Sequence, residues 1–277
     1  MAIRDILVVV GDAATVAQRV MPAAALAAAT SARLTGLCAS GYPAEDAYGD
    51  LSGWMQLVET YLKAQRAAAS AAEAAFRQEL APRKLAGDWI YREGDPTGTV
   101  MALAALYDLV VVGQTNPDGE PGGAPGPRPE GVVLGAGRPV LVVPYAGSFA
   151  EIGRHVVVAW NGGREAARAL HDAMFVLERA EIVTVLEVEP ATAFGASRIS
   201  AADVAAALVR RGIKASSQRE TAGDIGVDDL LLSRAADLGA DLLVMGAYGH
   251  SRLREFVLGG ASRGIFQHMT LPVLMAH

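Results

Sequence analysis

Residues 240–275 read ADLLVMGAYGHSRLREFVLGGASRGIFQHMTLPVLM, and residues 107–142 read YDLVVVGQTNPDGEPGGAPGPRPEGVVLGAGRPVLV. The second stretch repeats the frame of the first. Asp108 and Asp241, Gly113 and Gly246, and Pro139 and Pro272 are each 133 residues apart. Three matches at one offset identify an internal repeat, which has to be recognised before any other reading of the chain. Working outward, residues 6–12 (ILVVVGD) correspond to residues 155–161 (HVVVAWN), and here Asp12 and Asn161 are 149 apart. The two offsets differ by 16, so the first half carries that many extra residues before its fourth strand. Residues 42–58, rich in Gly, Pro, Asp and Tyr, read as a loop insertion that accounts for them. The seam falls near Ala146-Gly147-Ser148, which gives domains of 1–146 and 147–277.

Each half alternates strand and helix signals. In the second half, residues 155–160 are continuously apolar, as a strand buried on both faces should be. A helix over 163–178 follows, with Ala166, Leu170, Ala173 and Leu177 at helical spacing. Then come a strand at 182–188, a helix at 200–211, a strand at 214–220 and a helix at 225–238 stopped by Gly239. A strand at 241–246, a glycine-rich loop, a short helix over 263–268 and a strand at 272–276 complete the half. The first half offers strands near 4–10, 33–39, 88–92, 108–113 and 139–143. This order predicts an α/β fold of two tandem doubly wound domains, each with a five-stranded parallel sheet. Such sheets bind ligands beyond the carboxyl ends of their strands, at the switch point. The residues to examine therefore follow Val10, Val112, Ala159 and Met245.

Composition bounds the function. The chain has 277 residues, 52% hydrophobic and 19% charged, with a net charge of -6. That is a folded protein and not a disordered one. The acidic balance argues against nucleic-acid binding, which depends on Lys and Arg at phosphates. The lone Cys38 excludes an internal disulfide. No apolar run is long enough to span a membrane, and no secretory signal is evident, so a cytoplasmic location is expected. The five histidines show no metal-ligand spacing, and no metal site is expected. No Gly-Lys-Ser/Thr triplet occurs, and no G-x-G-x-x-G follows a first strand. Glu165 and Arg168 read as a surface ion pair at helical spacing. Asp95 before Pro96 reads as a helix N-cap.

The loop after Gly246 carries a resemblance. Gly246, two residues, Gly249, nine residues and Gly259 resemble the G-x2-G-x9-G-[S/T] signature of the universal stress protein family. The flanking Ala-Asp-Leu and Leu-Pro-Val-Leu-Met agree with it, and the resemblance covers both halves of the chain. The family fold is a five-stranded parallel α/β sandwich of the adenine nucleotide alpha hydrolase-like type, and its motif-bearing branch binds ATP or AMP. The resemblance implies ATP or AMP, with or without Mg2+, as ligand in the second half. Asn161 stands where the family has an Asp that contacts ribose and adenine, with Ala159 and Trp160 beside it. Leu186 and Glu187 match adenine-side positions. Met245, Gly246 and Gly249 match ribose and phosphate contacts, and Gly259, Gly260 and Ala261 match the phosphate cradle. Gly260 replaces the family's hydroxyl residue, and Ser262 is placed to supply that hydroxyl from two residues on. His250, Arg252 and Arg254 lie in the same loop.

The first half departs from the pattern. Asn116 stands for Gly249 and Pro127 for Gly260, and proline offers no N–H. Asp118 and Glu120 add charge that repels phosphate. This half is expected to lack a working nucleotide site and to pack against the second. The expected function is a stress-response protein whose C-terminal domain binds an adenine nucleotide as a regulatory switch without efficient catalysis. The alternatives are a slow ATPase or phosphoryl/nucleotidyl transferase, and a structural interaction module that binds nothing. The last strand of each half should be an edge that invites pairing, which suggests a homodimer.

Overall fold

A computed structural model describes residues 3–11, 13–42, 51–116, 126–190, 199–223, 225–249 and 260–277, without the side chains of 51–54, 189 and 190. The first half contains β1 (Asp5–Val9), α1 (Val16–Thr30), β2 (Arg33–Ser40), α2 (Leu51–Leu80), β3 (Gly87–Glu93), α3 (Pro96–Ala104), β4 (Leu109–Gly113), α4 (Pro129–Gly135) and β5 (Val140–Val143). The second contains β6 (His155–Trp160), α5 (Arg164–Asp172), α6 (Met174–Leu177), β7 (Ile182–Pro190), α7 (Ala201–Arg210), β8 (Ala215–Ala222), α8 (Val227–Asp237), β9 (Leu242–Gly246), α9 (Gly260–His268) and β10 (Val273–Ala276).

The strands form one sheet in the order β3-β2-β1-β4-β5-β10-β9-β6-β7-β8. All pairs within each half are parallel. β1 and β6 are apolar throughout because successive residues face two different cores. Ile6 and Val8 enter one core with Val156 and Val158, beneath α1, α2, α5, α6 and α7. Leu7, Val9 and Val157 enter the other, beneath α3, α4, α8 and α9. Period-two alternation of side chains, with helices on both faces, explains why no strand of the sheet's centre shows a polar side.

The repeated Asp that opens the quoted stretches has a structural task. Asp241 Oδ1 accepts from the Gly153 N–H at 2.8 Å and Oδ2 from the Arg154 N–H at 2.9 Å. Asp108 does the same for the Arg4 N–H at 2.8 Å and the Asp5 N–H at 3.2 Å. In each half this carboxylate fastens the start of the first strand to the start of the fourth. Asp95 is an N-cap as expected, its oxygens accepting from the Thr97 N–H at 3.0 Å and the Gly98 N–H at 2.9 Å. Asp95→Ala should lower stability by about 1 kcal/mol, the ordinary worth of such a cap, read as a fall in thermal midpoint with native circular dichroism retained.

Several expectations change. The extra residues of the first half are not all loop, since α2 begins at Leu51. Ala69, Ala72, Phe76 and Leu80 form its buried stripe, and that amphipathic pattern carries the helix back into the second part of the 42–58 segment, as far as Leu51. The expected helix over 163–178 is broken at Ala173 into α5 and α6. All four residues of α6 are buried, so this turn enters the core where α5 lies on it. α9 starts at Gly260 and not at Arg263, which puts Gly260, Ala261 and Ser262 inside its first turn.

The terminal strands do pair, but with each other. β5 and β10 run antiparallel, with Val142 opposite Val273, Leu141 opposite Leu274 and Val140 opposite Met275. The edges expected to draw two chains together are thereby satisfied within one, and β3 and β8 are left as the outer strands. Gln114 locks the junction. It is 3% exposed, and its Nε2 donates to the Phe266 carbonyl at 2.8 Å while its Oε1 accepts from the Tyr145 N–H at 3.1 Å. Gln114→Leu should cost about 1–3 kcal/mol by orphaning these buried backbone groups. Hydrogen exchange should then quicken first at α9 and residue 145. Among the described residues, no helix is long and apolar enough to cross a membrane.

Candidate functional site

A cavity of about 330 Å³ opens where the carboxyl ends of β6 and β9 diverge, the switch point of the second half. Ala159, Trp160 and Asn161 enter from the end of β6, Leu186 and Val188 from β7, and Val227 and Leu231 from α8. Met245, Gly246, Tyr248 and Gly249 come from the end of β9, and Gly260, Ala261 and Ser262 from the first turn of α9. The volume is within the range of small-molecule sites, and the walls combine apolar side chains with a few polar groups in the usual manner of such sites.

The sequence named thirteen residues here, and the structure brings ten of them to this cavity: Ala159, Trp160, Asn161, Leu186, Met245, Gly246, Gly249, Gly260, Ala261 and Ser262. His250 and Gly259 lie outside the described residues, as do Arg252, Arg254, Asp118, Glu120 and Asp12. Glu187 is not part of it. Its Oε2 accepts from the Ala201 N–H at 3.0 Å and its Oε1 meets Arg219 at 3.3 Å, so it serves the start of α7. Period two puts Leu186 and Val188 on the cavity face and turns Glu187 away. The same rule, applied to Leu186, would have found Val188.

The local geometry explains the shape. Asn161 Oδ1 accepts from the Gly163 N–H at 2.9 Å, which turns the chain sharply from β6 into α5. Trp160 Nε1 donates to the Ile199 carbonyl at 2.8 Å, pinning the indole as a wall. Ser262 Oγ accepts from the Tyr248 N–H at 3.2 Å, which ties the start of the glycine loop to α9 and leaves the hydroxyl proton to donate. Gly260, Ala261 and Ser262 occupy the first turn of α9, where backbone N–H groups have no helical partner and the helix dipole favours an anion.

Tyr248 is the lining residue that sequence reasoning missed. It has a backbone φ of 58° and is 7% exposed. Its ring stacks on Phe266 at 6.5 Å and meets His277 edge-on at 6.3 Å. Its hydroxyl is buried with no hydrogen-bond partner among the described residues. Burial, aided by the Glu130 carboxylate of the first half, pushes the phenol well above its usual range. A left-handed aromatic residue in a loop leaves no sequence signal, because glycine is the residue that pattern predicts.

Glu165 also departs from expectation. It does not pair with Arg168, which bonds Asp172 instead. Its side chain is 9% exposed, and its Oε1 accepts from Arg164 Nε at 2.6 Å. Burial raises its pKa, but the Arg164 bond, its own backbone N–H and the charges of Arg164 and His277 outweigh that and hold it below the usual carboxylate range. In the first half, the counterpart of Gly246 is Gly113, and there the neighbouring space is taken by Arg19. A Cβ built on Gly113 would meet the Arg19 guanidinium, and Arg19 Nη1 donates to the Val9 carbonyl at 3.3 Å.

Two tandem parallel α/β domains joined edge to edge, with a glycine-lined cavity at the switch point of the second, define the class of this protein. Residues 153–277 match the universal stress protein family. A universal stress protein from Archaeoglobus fulgidus DSM 4304 has the same fold over 98% of this chain and 97% of its own, at 16% identity and a TM-score of 0.67. A functionally unknown protein from Pseudomonas aeruginosa PAO1 covers 99% and 92%, at 16% identity and a TM-score of 0.56. No curated protein matches the sequence.

Proposed function

We propose that the second-half cavity binds an adenine nucleotide, ATP or AMP, as a regulatory switch without efficient turnover. In the same reading, residues 147–277 form the nucleotide-binding domain and residues 1–146 a degenerate partner domain. The observation that carries it is the cavity at the switch point, whose two ends differ in chemistry. Trp160, Leu186, Val188, Val227 and Leu231 offer an apolar slot suited to a flat base. The first turn of α9 offers backbone N–H groups suited to a phosphate. Asn161 lies between strand end and helix start, where a ribose would be reached.

Binding is favoured over turnover because no described lining residue is a carboxylate, histidine or lysine that could serve as a general base. The degenerate reading of the first half is supported by Arg19 beside Gly113, and by Pro127, without an N–H, where the second half has Gly260 at the start of α9. Denaturing freshly purified protein and identifying released small molecules by mass spectrometry tests both parts. One adenine nucleotide per chain is expected. Two per chain would refute the degenerate first half. An empty protein that also gives no calorimetric response to ATP or AMP would refute nucleotide binding.

A further inference from the structure

We infer that Glu165 sets how much negative charge the second-half site accepts, so that an adenine ligand with one phosphate or none binds in preference to a di- or triphosphate. The inference rests on the adenine-nucleotide reading of this cavity. It begins with the contact between α5 and the glycine loop. A Cβ on Gly246 would lie 2.4 Å from the Glu165 carbonyl carbon and 2.5 Å from the Ala166 nitrogen, so the loop leaves β9 pressed on the first turn of α5. Three residues later, a Cβ on Gly249 would lie 3.0 Å from Glu165 Oε2. The carboxylate is therefore packed behind Gly249, and the backbone that carries it behind Gly246, and both glycines line the cavity.

An acidic residue in the first turn of a helix needs no ligand to explain it, because the helix dipole favours it there. The placement of its two oxygens goes further. Oε1 is engaged by Arg164, whose side chain is 78% exposed, so the compensating charge sits in water where it is screened. Oε2 is on the side of the loop. Like charges a few ångströms apart at a partly buried site repel several times more strongly than in bulk water. The first turn of α9 offsets part of the charge of one phosphate, about half an elementary charge. Among the described lining residues none is basic, so nothing there offsets a second or third. The base end is apolar and indifferent to the change.

The test is calorimetric titration of the full chain with adenosine, AMP, ADP and ATP in EDTA at fixed ionic strength. Wild type should lose about tenfold or more in affinity from AMP to ATP, a gap that narrows as salt rises. Glu165→Gln should flatten the AMP-to-ATP series to within about threefold while leaving adenosine affinity unchanged. Arg164→Gln, which removes the partial neutraliser, should steepen the series. If Glu165→Gln does not fold by circular dichroism, the salt dependence and Arg164→Gln decide the matter. Wild type that binds ATP as tightly as AMP overturns the inference while the adenine reading stands. So does a Glu165→Gln chain that weakens every ligand equally, or an Arg164→Gln chain with an unchanged series. No binding of any of the four ligands overturns the adenine reading itself, and this inference with it.

Discussion

Gly246→Val should destabilise the chain by about 3 kcal/mol or more and abolish ligand uptake by the second half. Overpacking costs about 1–3 kcal/mol where side chains can shift. Here the obstacle is backbone: a Cβ at this position would be 2.4 Å from one main-chain atom of α5 and 2.5 Å from another. Neither can move without dragging α5 off the sheet or lifting the loop away from the cavity wall. Gly246 is also the last residue of β9, so its displacement disturbs its pairing with Ala276 in β10. Chemical denaturation should show a lower midpoint, and calorimetry no binding heat with any adenine ligand. Gly249→Ala is the graded comparison. Its Cβ would meet only the end of the Glu165 side chain, at 3.0 Å, so the fold should survive with altered binding. A Gly246→Val chain of wild-type stability would contradict the packing described for α5 and the loop.

Leu274→Asp should cost about 3–5 kcal/mol, enough to unfold a domain of ordinary stability. Leu274 is 2% exposed and faces Leu141, itself 1% exposed, across the antiparallel join of β10 and β5. A carboxylate there has no cation among the described core residues around it. It must either remain protonated or open the junction, and either choice weakens the one strand pair that joins the two halves. Leu274→Met conserves volume and should cost less than about 1.5 kcal/mol. Urea denaturation of the pair would check this. A small loss for the aspartate would mean that the junction is not part of the cooperative core.

How much of this was legible differs from element to element. The strands near 4–10, 108–113, 155–160 and 241–246 were readable because a strand buried on both faces is apolar without interruption. The repeat was readable because the same frame recurs: an Asp that ties two strand starts, a Gly at the end of the fourth strand and a Pro before the last strand. Ten of the thirteen named residues gather at one cavity because alternating strands and helices place the switch point at the strand ends. The N-terminal reach of α2 was hidden by Gly53 and the loop-like composition before it. Glu165 was misread because helical spacing identifies candidate partners but does not choose among them. Arg164 sits beside it in sequence, and only the packing of α5 on β9 shows which carboxylate is turned inward.

The sequence by itself determined two parallel α/β repeats, the alternation of strands and helices in each and the strand ends beyond which a ligand would be sought. These follow from periodicity and from the handedness of crossover connections, which are local properties of the chain. The tertiary structure alone decided that β5 and β10 join antiparallel into one ten-stranded sheet, that Gln114 bridges the join, that Tyr248 lines the cavity and that Glu165 packs behind Gly249. Each of these depends on groups far apart in sequence meeting at close range, and residue pattern carries no record of such distances.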